Sequence, residues 1–478
     1  MNNSGLLLAA VFVPVMGAFT LPAIGRISEH LRNALALIFV LASLVASAML
    51  VPTVLSGQTI TVALAGPLGF NFVLTADPLS VFMAIVSSFI SVIITMYSFG
   101  YISHYPNRNE YYTMVVLFIG AMMGLVFSSN LILLYIFWEI TAIASWRLIG
   151  FFREKQHVIK ADKAFMVTIF GALAMLFGFI LLYAETGSFD LAVIKGYFGV
   201  NPISNWIVLL ILLGILSKSA TLPFHTWLPD AGVAPSPVTA LLHAAVLVKI
   251  GVYVFARLFV MTLPIAAIWH TVVPIIASAS ALISAGAALI ETDMKRIIAY
   301  STISQIAFIF LGLAVGGNIG IAGALLYILM HGIAKGGLFL CAGIIEHGTR
   351  TKDITKMGGL LASMPITAIS FLFCALSVMG VPPFGGFFSK YMVMSGAFNQ
   401  NVWIAMVFLV GAFLTIIYLF RLFNMIFMGE EKAHSEAEGS RVMVASVAIL
   451  GILSLAGGIW ISYPAAYVQI TLKQMLGI

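Results

Sequence analysis

Residues 216–257, LSKSATLPFHTWLPDAGVAPSPVTALLHAAVLVKIGVYVFAR, decide how the rest of the chain is read. The stretch opens inside an apolar run, places Lys218 there, and breaks at Pro223. A loop with Pro229, Pro235 and Pro237 follows, and a second apolar run then carries His243 and Lys249. A charged side chain near a bilayer centre costs about 2.5–3.5 kcal/mol on insertion scales. Two lysines and a histidine at that depth, beside a broken helix, point to a proton or ion path. His225, next to Pro223 and Trp227, reads as a point of proton access near the inner surface or as a loop cap.

The composition agrees. The 478 residues are 62% hydrophobic and only 8% charged, and mean hydropathy is +1.10. No soluble domain of this size hides so much apolar surface, so the chain reads as an all-α polytopic membrane protein in contact with the lipid bilayer. The net charge of +6 does not indicate nucleic acid, because the basic residues are spread over short loops between spans. Cys341 and Cys374 both lie in apolar runs and form neither a disulfide framework nor a metal-ligand pattern. The first apolar run lacks a basic leader and a cleavage site, and is expected to be a retained helix.

Apolar runs of about 18–25 residues give about fourteen expected spans. They fall near 5–24, 33–52, 78–101, 111–128, 130–151, 162–184, 203–222, 236–258, 268–290, 296–315, 319–345, 364–395, 402–426 and 442–462. Segment 57–76 alternates around Gly66-Pro67-Leu68-Gly69 and is expected to form a short extended pair on the membrane surface. With the N-terminus outside, fifteen basic residues lie in inner loops, while only Lys195, Arg257 and Lys473 remain outside. The positive-inside rule then places both termini outside, in a cell inner membrane. The other five, Arg147, Lys218, Lys249, Lys335 and Lys390, fall within spans.

Pro and Gly interrupt the seventh span and, at Val378–Lys390 (VMGVPPFGGFFSK), the twelfth. Interrupted helices five spans apart suggest two inverted five-helix repeats, spans 4–8 and 9–13. The expected division is therefore 1–110, 111–260, 261–428 and 429–478. The match is imperfect, since the lysine precedes one break and follows the other.

Several polar residues lie at membrane depth. Glu139, in NLILLYIFWEITAIASWRLIGF (130–151), is the one good intramembrane acid, and a partner for Lys218 or a helix–helix contact. Arg147, two turns on, tunes that site or snorkels to the inner surface. His331 lies four residues before Lys335 in LLYILMHGIAKGGLFL (325–340), on one helical face. His243 lies six before Lys249. Histidine's ordinary pKa near 6.5 suits a relay, although a lone buried histidine can also be a satisfied core donor. One acid cannot neutralise four lysines, and that imbalance favours groups that gain and lose protons over structural ion pairs. No haem, flavin, iron–sulfur or nucleotide motif is present, so no cofactor or metal is expected. Work must come from a gradient or a partner.

Four segments carry a family resemblance: 217–253, DMKRIIAYSTISQIAF (293–308), GIIEHGTRTKDITKMGGL (343–360) and GVPPFGGFFSK (380–390). Together, over about residues 70–425, they resemble the antiporter-like subunits of respiratory complex I, the Mrp cation/proton antiporters and the membrane-bound energy-converting hydrogenases. The resemblance implies fourteen helices and a proton relay. In it Glu139 and Lys218 form an ion pair, His243 and Lys249 follow, Lys335 with His331 is central, and Lys390 is terminal. Departures narrow it: 166–177 (MVTIFGALAMLF) is apolar, Tyr327 stands where a histidine is frequent, Tyr391 follows Lys390, and the chain stops soon after its fourteenth span. GIIEHGTRTKDI and the retained Lys249 lean toward Mrp and hydrogenase relatives.

The function implied is proton translocation, with Na+ as a second candidate ion, in a redox-driven complex alongside other membrane subunits. The chain has no redox residues of its own. A Mrp-type Na+/H+ exchanger subunit and the membrane part of an inorganic-carbon uptake system are the alternatives.

Overall fold

The computed structural model describes residues 2–66, 71–432 and 438–477. In chain order the helices begin with α1 (Asn3–Ile27), α2 (Glu29–Met49) and α3 (Val51–Leu55). Strands β1 (Ile60–Ala65) and β2 (Asn71–Ala76) pair antiparallel, Ile60 opposite Ala76 and Ala65 opposite Asn71. Of the expected Gly66–Gly69 turn, residues 67–69 lie outside the described residues, as does 433–437 in the 428–441 loop. Next come α4 (Pro78–Tyr101), α5 (Arg108–Phe127), α6 (Leu131–Ile149), α7 (Lys155–Thr186), α8 (Leu191–Phe198), α9 (Asn205–Lys218), α10 (Trp227–Asp230), α11 (Ser236–Ala240) and α12 (Leu247–Phe255). The chain finishes with α13 (Trp269–Ile290), α14 (Met294–Ala314), α15 (Asn318–Thr349), α16 (Pro365–Met379), α17 (Gly385–Gln400), α18 (Val402–Phe427), α19 (Arg441–Ile459) and α20 (Ser462–Leu476).

Twelve of these segments are long and apolar enough to cross a membrane; α9 and α16 are shorter apolar helices. Both of the latter stop at a Pro-containing break, as the interrupted seventh and twelfth spans require. Besides the short turns α3 and α10, two helices were not expected. The short α8 and the terminal α20 are too polar or too brief to register as apolar runs. α20 packs on α15 and α4, and Tyr467 donates to the Pro78 carbonyl.

Enclosure sorts the helices. In α4 and α5, 83% of the apolar window is buried; the figure is 100% for Ser236–Val260 and 94% for α14 and α15. For α1, α2, α7, α13, α18 and α19 it is 33–44%, as expected of helices facing lipid. Lys249 and Lys335 lie in the enclosed helices.

Local sequence sets the ends. Asp77 caps α4 in a reciprocal capping box with Ser80, and Pro78 supplies the first turn. Asn130 caps α6 and Asp293 caps α14. These two caps occupy matching places, for Asn130 bridges Asp190, which caps α8, while Asp293 bridges Asp353, which caps the turn Ile354–Lys356. The preceding long helices α7 and α15 each run 32 residues and end on a left-handed residue, Gly187 and Arg350.

The breaks leave backbone groups that side chains must satisfy, since lipid offers no partner. After α9, Trp227 Nε1 donates to the Ser217 carbonyl (3.0 Å) and the Leu222 N–H reaches Ser280 Oγ (3.1 Å). After α16, Gly380 takes φ +81 and the Gly386 N–H reaches Ser377 Oγ (3.2 Å). The eighth span is not a uniform α-helix. It passes through π-helical turns at Leu241–Ala245 and Ala256–Val260, on either side of α12. Such turns widen the ladder and recur at functional sites.

Arg257, expected in an outer loop, is instead buried in the second π-turn, ion-paired with Asp77 and hydrogen-bonded to Tyr253 (3.0 Å). Burial alone would raise the Asp77 carboxyl; the Arg257 charge and hydrogen bonds outweigh it and hold Asp77 below the usual carboxylate range. Sequence separation, 180 residues, hides that pairing from the chain's linear order.

Candidate functional site

The expected intramembrane groups divide into a pair and a cluster. Lys218, at the end of α9, is fully buried; its Nζ donates to the Trp138 carbonyl (3.1 Å) and lies 5.2 Å from the Trp138 ring centroid. Trp138 immediately precedes Glu139 on α6, so the lysine and acid are electrostatic neighbours. They are not within ion-pair distance of each other among the described residues. Tyr135, one turn earlier, is an electrostatic neighbour of the Glu139 carboxylate, and Glu139 Oε1 has no partner. The implied direct ion pair is therefore open in this structure.

The cluster holds His243, Lys249, His331, Lys335 and Lys390, all buried. His331 on α15 interacts electrostatically with Lys249, Lys335, Lys390 and His243, so it sits among the other four. Neither ring nitrogen of His331 or of His243 has a hydrogen-bond partner, and His243 packs on Phe339 at 4.3 Å between centroids. Lys249 Nζ is also without a partner. It lies against Gly332, where an added Cβ would fall 2.2 Å from it. The absence of a side chain at Gly332 is thus what makes room for the ammonium beside His331. Gly251 plays a similar part between the seventh and eighth spans, since a Cβ there would meet Ser219 Oγ at 2.0 Å and the Ile215 carbonyl at 2.6 Å.

A row of polar side chains runs from Lys335 toward Lys390. Lys335 Nζ donates to Ser301 Oγ (2.5 Å) and the Ile298 carbonyl (3.3 Å) on α14. The Tyr418 hydroxyl on α18 donates to the same Ser301 Oγ (2.8 Å). Gln305, one turn beyond Ser301, reaches Thr415 Oγ1 (3.2 Å) and the Tyr418 hydroxyl (3.5 Å) through Nε2, and accepts from the Tyr327 hydroxyl (2.6 Å) at Oε1. Lys390 Nζ stands over the Tyr327 ring (5.6 Å) and the Phe308 ring (4.7 Å) and donates to the Val378 carbonyl (2.6 Å) across the break. Ser301 and Gln305 lie in the stretch 293–308, whose serines and glutamine in an apolar helix were the available signal.

Two expected residues stand apart. Arg147 pairs with Glu110, which also holds Arg153, in a partly exposed triad. That is the surface-reaching alternative, so Arg147 does not join the cluster. His225 lies in the turn after the first break, half-buried with Nδ1 unpartnered, and no described contact links it to the lysines. Among the described residues no group of three His, Cys, Asp or Glu is arranged to hold a metal ion.

Among the described residues the arrangement supplies buried amino groups with no carboxylate in ion-pair distance, unpartnered imidazole nitrogens, and a row of hydroxyls and an amide beginning at Lys335. Such a set can exchange protons laterally.

Comparison with known proteins matches residues 128–415 to the family described as NADH:quinone oxidoreductase/Mrp antiporter, TM. Residues 63–112 match NADH-Ubiquinone oxidoreductase (complex I), chain 5 N-terminus. The chain is 33% identical to the Na(+)/H(+) antiporter subunit A1 of Staphylococcus aureus, an alignment covering 95% of this chain and 61% of that protein. It therefore spans about three-fifths of the curated relatives it matches. In fold it resembles a chain of the Mrp complex from Dietzia sp. DQ12-45-1b, with TM-score 0.89 and 23% identity, covering 100% of this chain and 98% of that one. It equally resembles a chain of the membrane-bound sulfane sulfur reductase, an archaeal respiratory membrane complex, with TM-score 0.90 and 23% identity over 98% of each chain.

Proposed function

Because the chain belongs to the NADH:quinone oxidoreductase/Mrp antiporter membrane family, we propose that it is the proton-translocating subunit of a larger membrane assembly. The carrying observation is the run of buried lysines without a carboxylate in ion-pair distance, linked by two unpartnered histidines. The matching caps, the paired 32-residue helices and the two breaks support reading 111–260 and 261–428 as inverted five-helix units, flanked by 1–110 and 429–478. The basic inner loops support an inner-membrane orientation with both termini outside.

In the mechanism, Glu139 and Lys218 are the coupling pair. When the carboxylate closes on Lys218 it favours the ammonium; when it swings away the lysine gives its proton toward Lys249. His243 and His331 then take and release the proton between Lys249 and Lys335, and Lys390 hands it to the far side or to a neighbouring subunit. The driving event is electron transfer in partner subunits. A second reading, exchange of protons for Na+, is favoured by the alignment of 95% of this chain with a subunit named as a Na(+)/H(+) antiporter.

The test is transport by the intact complex carrying Lys218→Ala or Glu139→Ala. Both assemble, and both lose proton- or Na+-coupled transport by about 100-fold, the scale on which positioned acid–base groups act. Wild-type transport with either substitution removes the coupling pair. Repeating the measurement with and without Na+ separates the two readings.

A further inference from the structure

The row that runs from Lys335 to Tyr327, under Lys390, contains one group that cannot carry a proton. A hydroxyl accepts a proton on its oxygen and donates its own, so a row of hydroxyls relays. A carboxylic amide does not, for its NH2 only donates and its carbonyl oxygen only accepts. Here the amide orientation is fixed by its neighbours. Thr415 gives its hydroxyl hydrogen to the Gly411 carbonyl (2.8 Å), and Tyr418 gives its own to Ser301 (2.8 Å) in preference to the more distant Thr415 Oγ1 (3.3 Å), so both present oxygens that can take a donor. The Tyr327 hydroxyl on the other side needs an acceptor. Gln305 meets both needs with Nε2 toward Thr415 and Tyr418 and Oε1 toward Tyr327. All of these side chains are fully buried, where an unmet polar group is costly, so the neighbours hold the orientation.

We propose that Gln305 is an insulating link: it ties the hydroxyl chain together but bars an excess proton from passing between Lys335 and Lys390 until the amide leaves its place. The proposal rests on the lysine-relay reading above. The proton balance is explicit. For Lys335 to give its proton to Ser301 Oγ, Ser301 must pass its own hydrogen to the Tyr418 oxygen, which reverses the Tyr418–Ser301 hydrogen bond and turns the Tyr418 hydrogen away from Ser301. Tyr418 must then lose a hydrogen, and the groups facing it are an NH2 with nothing to accept and Thr415 Oγ1 (3.3 Å), whose own hydrogen is held by the Gly411 backbone carbonyl and leads no further. The transfer stalls there and the proton returns to Lys335. When Gln305 withdraws, a hydroxyl or water in its place takes the Tyr418 hydrogen and passes another toward Lys390, whose amine becomes an ammonium as Lys335 becomes an amine. An insulator at this position keeps the outward half of the path closed while the inner half loads. Lys390, poised over the Tyr327 ring, is protonated only in turn.

The inference is tested in vesicles holding the intact complex, by the decay of an imposed pH gradient in the absence of the driving reaction. Gln305→Glu places a group that accepts on one oxygen and releases from the other, and the decay becomes about tenfold faster. Gln305→Met, of similar size but without polar atoms, stays at the wild-type rate. Gln305→Glu combined with Lys335→Met also returns to it, because the leak starts at Lys335. Wild-type decay in assembled Gln305→Glu overturns the proposal, as does Gln305→Met leaking as fast as Gln305→Glu. A Lys335→Met complex that transports normally removes the relay reading itself. Loss of transport in Lys335→Met with an unchanged Gln305→Glu removes only the insulator.

Discussion

Lys249→Met is expected to abolish proton-coupled transport while leaving the assembled complex at least as stable as the unaltered one. The two effects part because Lys249 Nζ is buried and has no hydrogen-bond or ion-pair partner. A side chain kept for structure earns its place through contacts, and this ammonium makes none that methionine would lose. Removing a buried charge without a partner relieves a desolvation cost, so stability rises by about 1–3 kcal/mol. Methionine also fits the irregular space beside Gly332 and His331. Transport falls by about 100-fold, because the proton passed from the Lys218 side then has no acceptor before the histidines. Thermal unfolding of the purified complex and proton uptake by vesicles read the two effects separately. A destabilised complex that still transports would assign Lys249 to structure.

Gly458→Ala has the largest expected effect on folding. Residue 458 on α19 lies against the second break, and an added Cβ would fall 1.8 Å from the Pro383 carbonyl oxygen, 2.6 Å from the Phe384 carbonyl carbon and 2.7 Å from the Gly385 nitrogen. These are backbone atoms in a turn held by neighbouring helices, so none can swing aside. The clash separates α19 from the break and costs about 3 kcal/mol or more, at the upper end of overpacking. Gly386 is similarly tight, with the Ser377 carbonyl oxygen 1.8 Å from its would-be Cβ. Gly286→Ala, in open space on lipid-facing α13, is the control. The yield of assembled complex from Gly458→Ala drops several-fold while Gly286→Ala matches the unaltered protein; equal yields would show that the break is not clamped.

Why some of this was legible in the sequence and some was not follows from range. Hydropathy over 20 residues is a local property, so the long spans, the Pro/Gly breaks and the lysines inside them could be read directly. The resemblance gathered His243, Lys249, His331, Lys335 and Lys390, and the structure brings those five together. Contacts across hundreds of residues were not readable. Arg257 seemed an outer-loop cation until Asp77 was found beside it. Arg147 stood between tuning Glu139 and reaching the surface until Glu110 was found beside it. The π-turns of the eighth span leave no trace in LLHAAVLV, which lacks Gly and Pro, because they are imposed by packing. Ser301, Gln305 and Tyr418 are single polar residues on apolar helices, and only their convergence from α14 and α18 makes them a chain. Gly332 is informative through the absence of a side chain, which linear reading treats as neutral.

The most direct measurement is the charge state of the buried lysines during work. With 15N-lysine in the intact complex, infrared difference spectra taken as the transmembrane gradient is applied and removed report ammonium and amine separately. The account predicts reversible lysine signals that disappear stepwise in Lys249→Met and Lys335→Met. A difference spectrum with no lysine contribution, from a complex that is transporting protons, would contradict it.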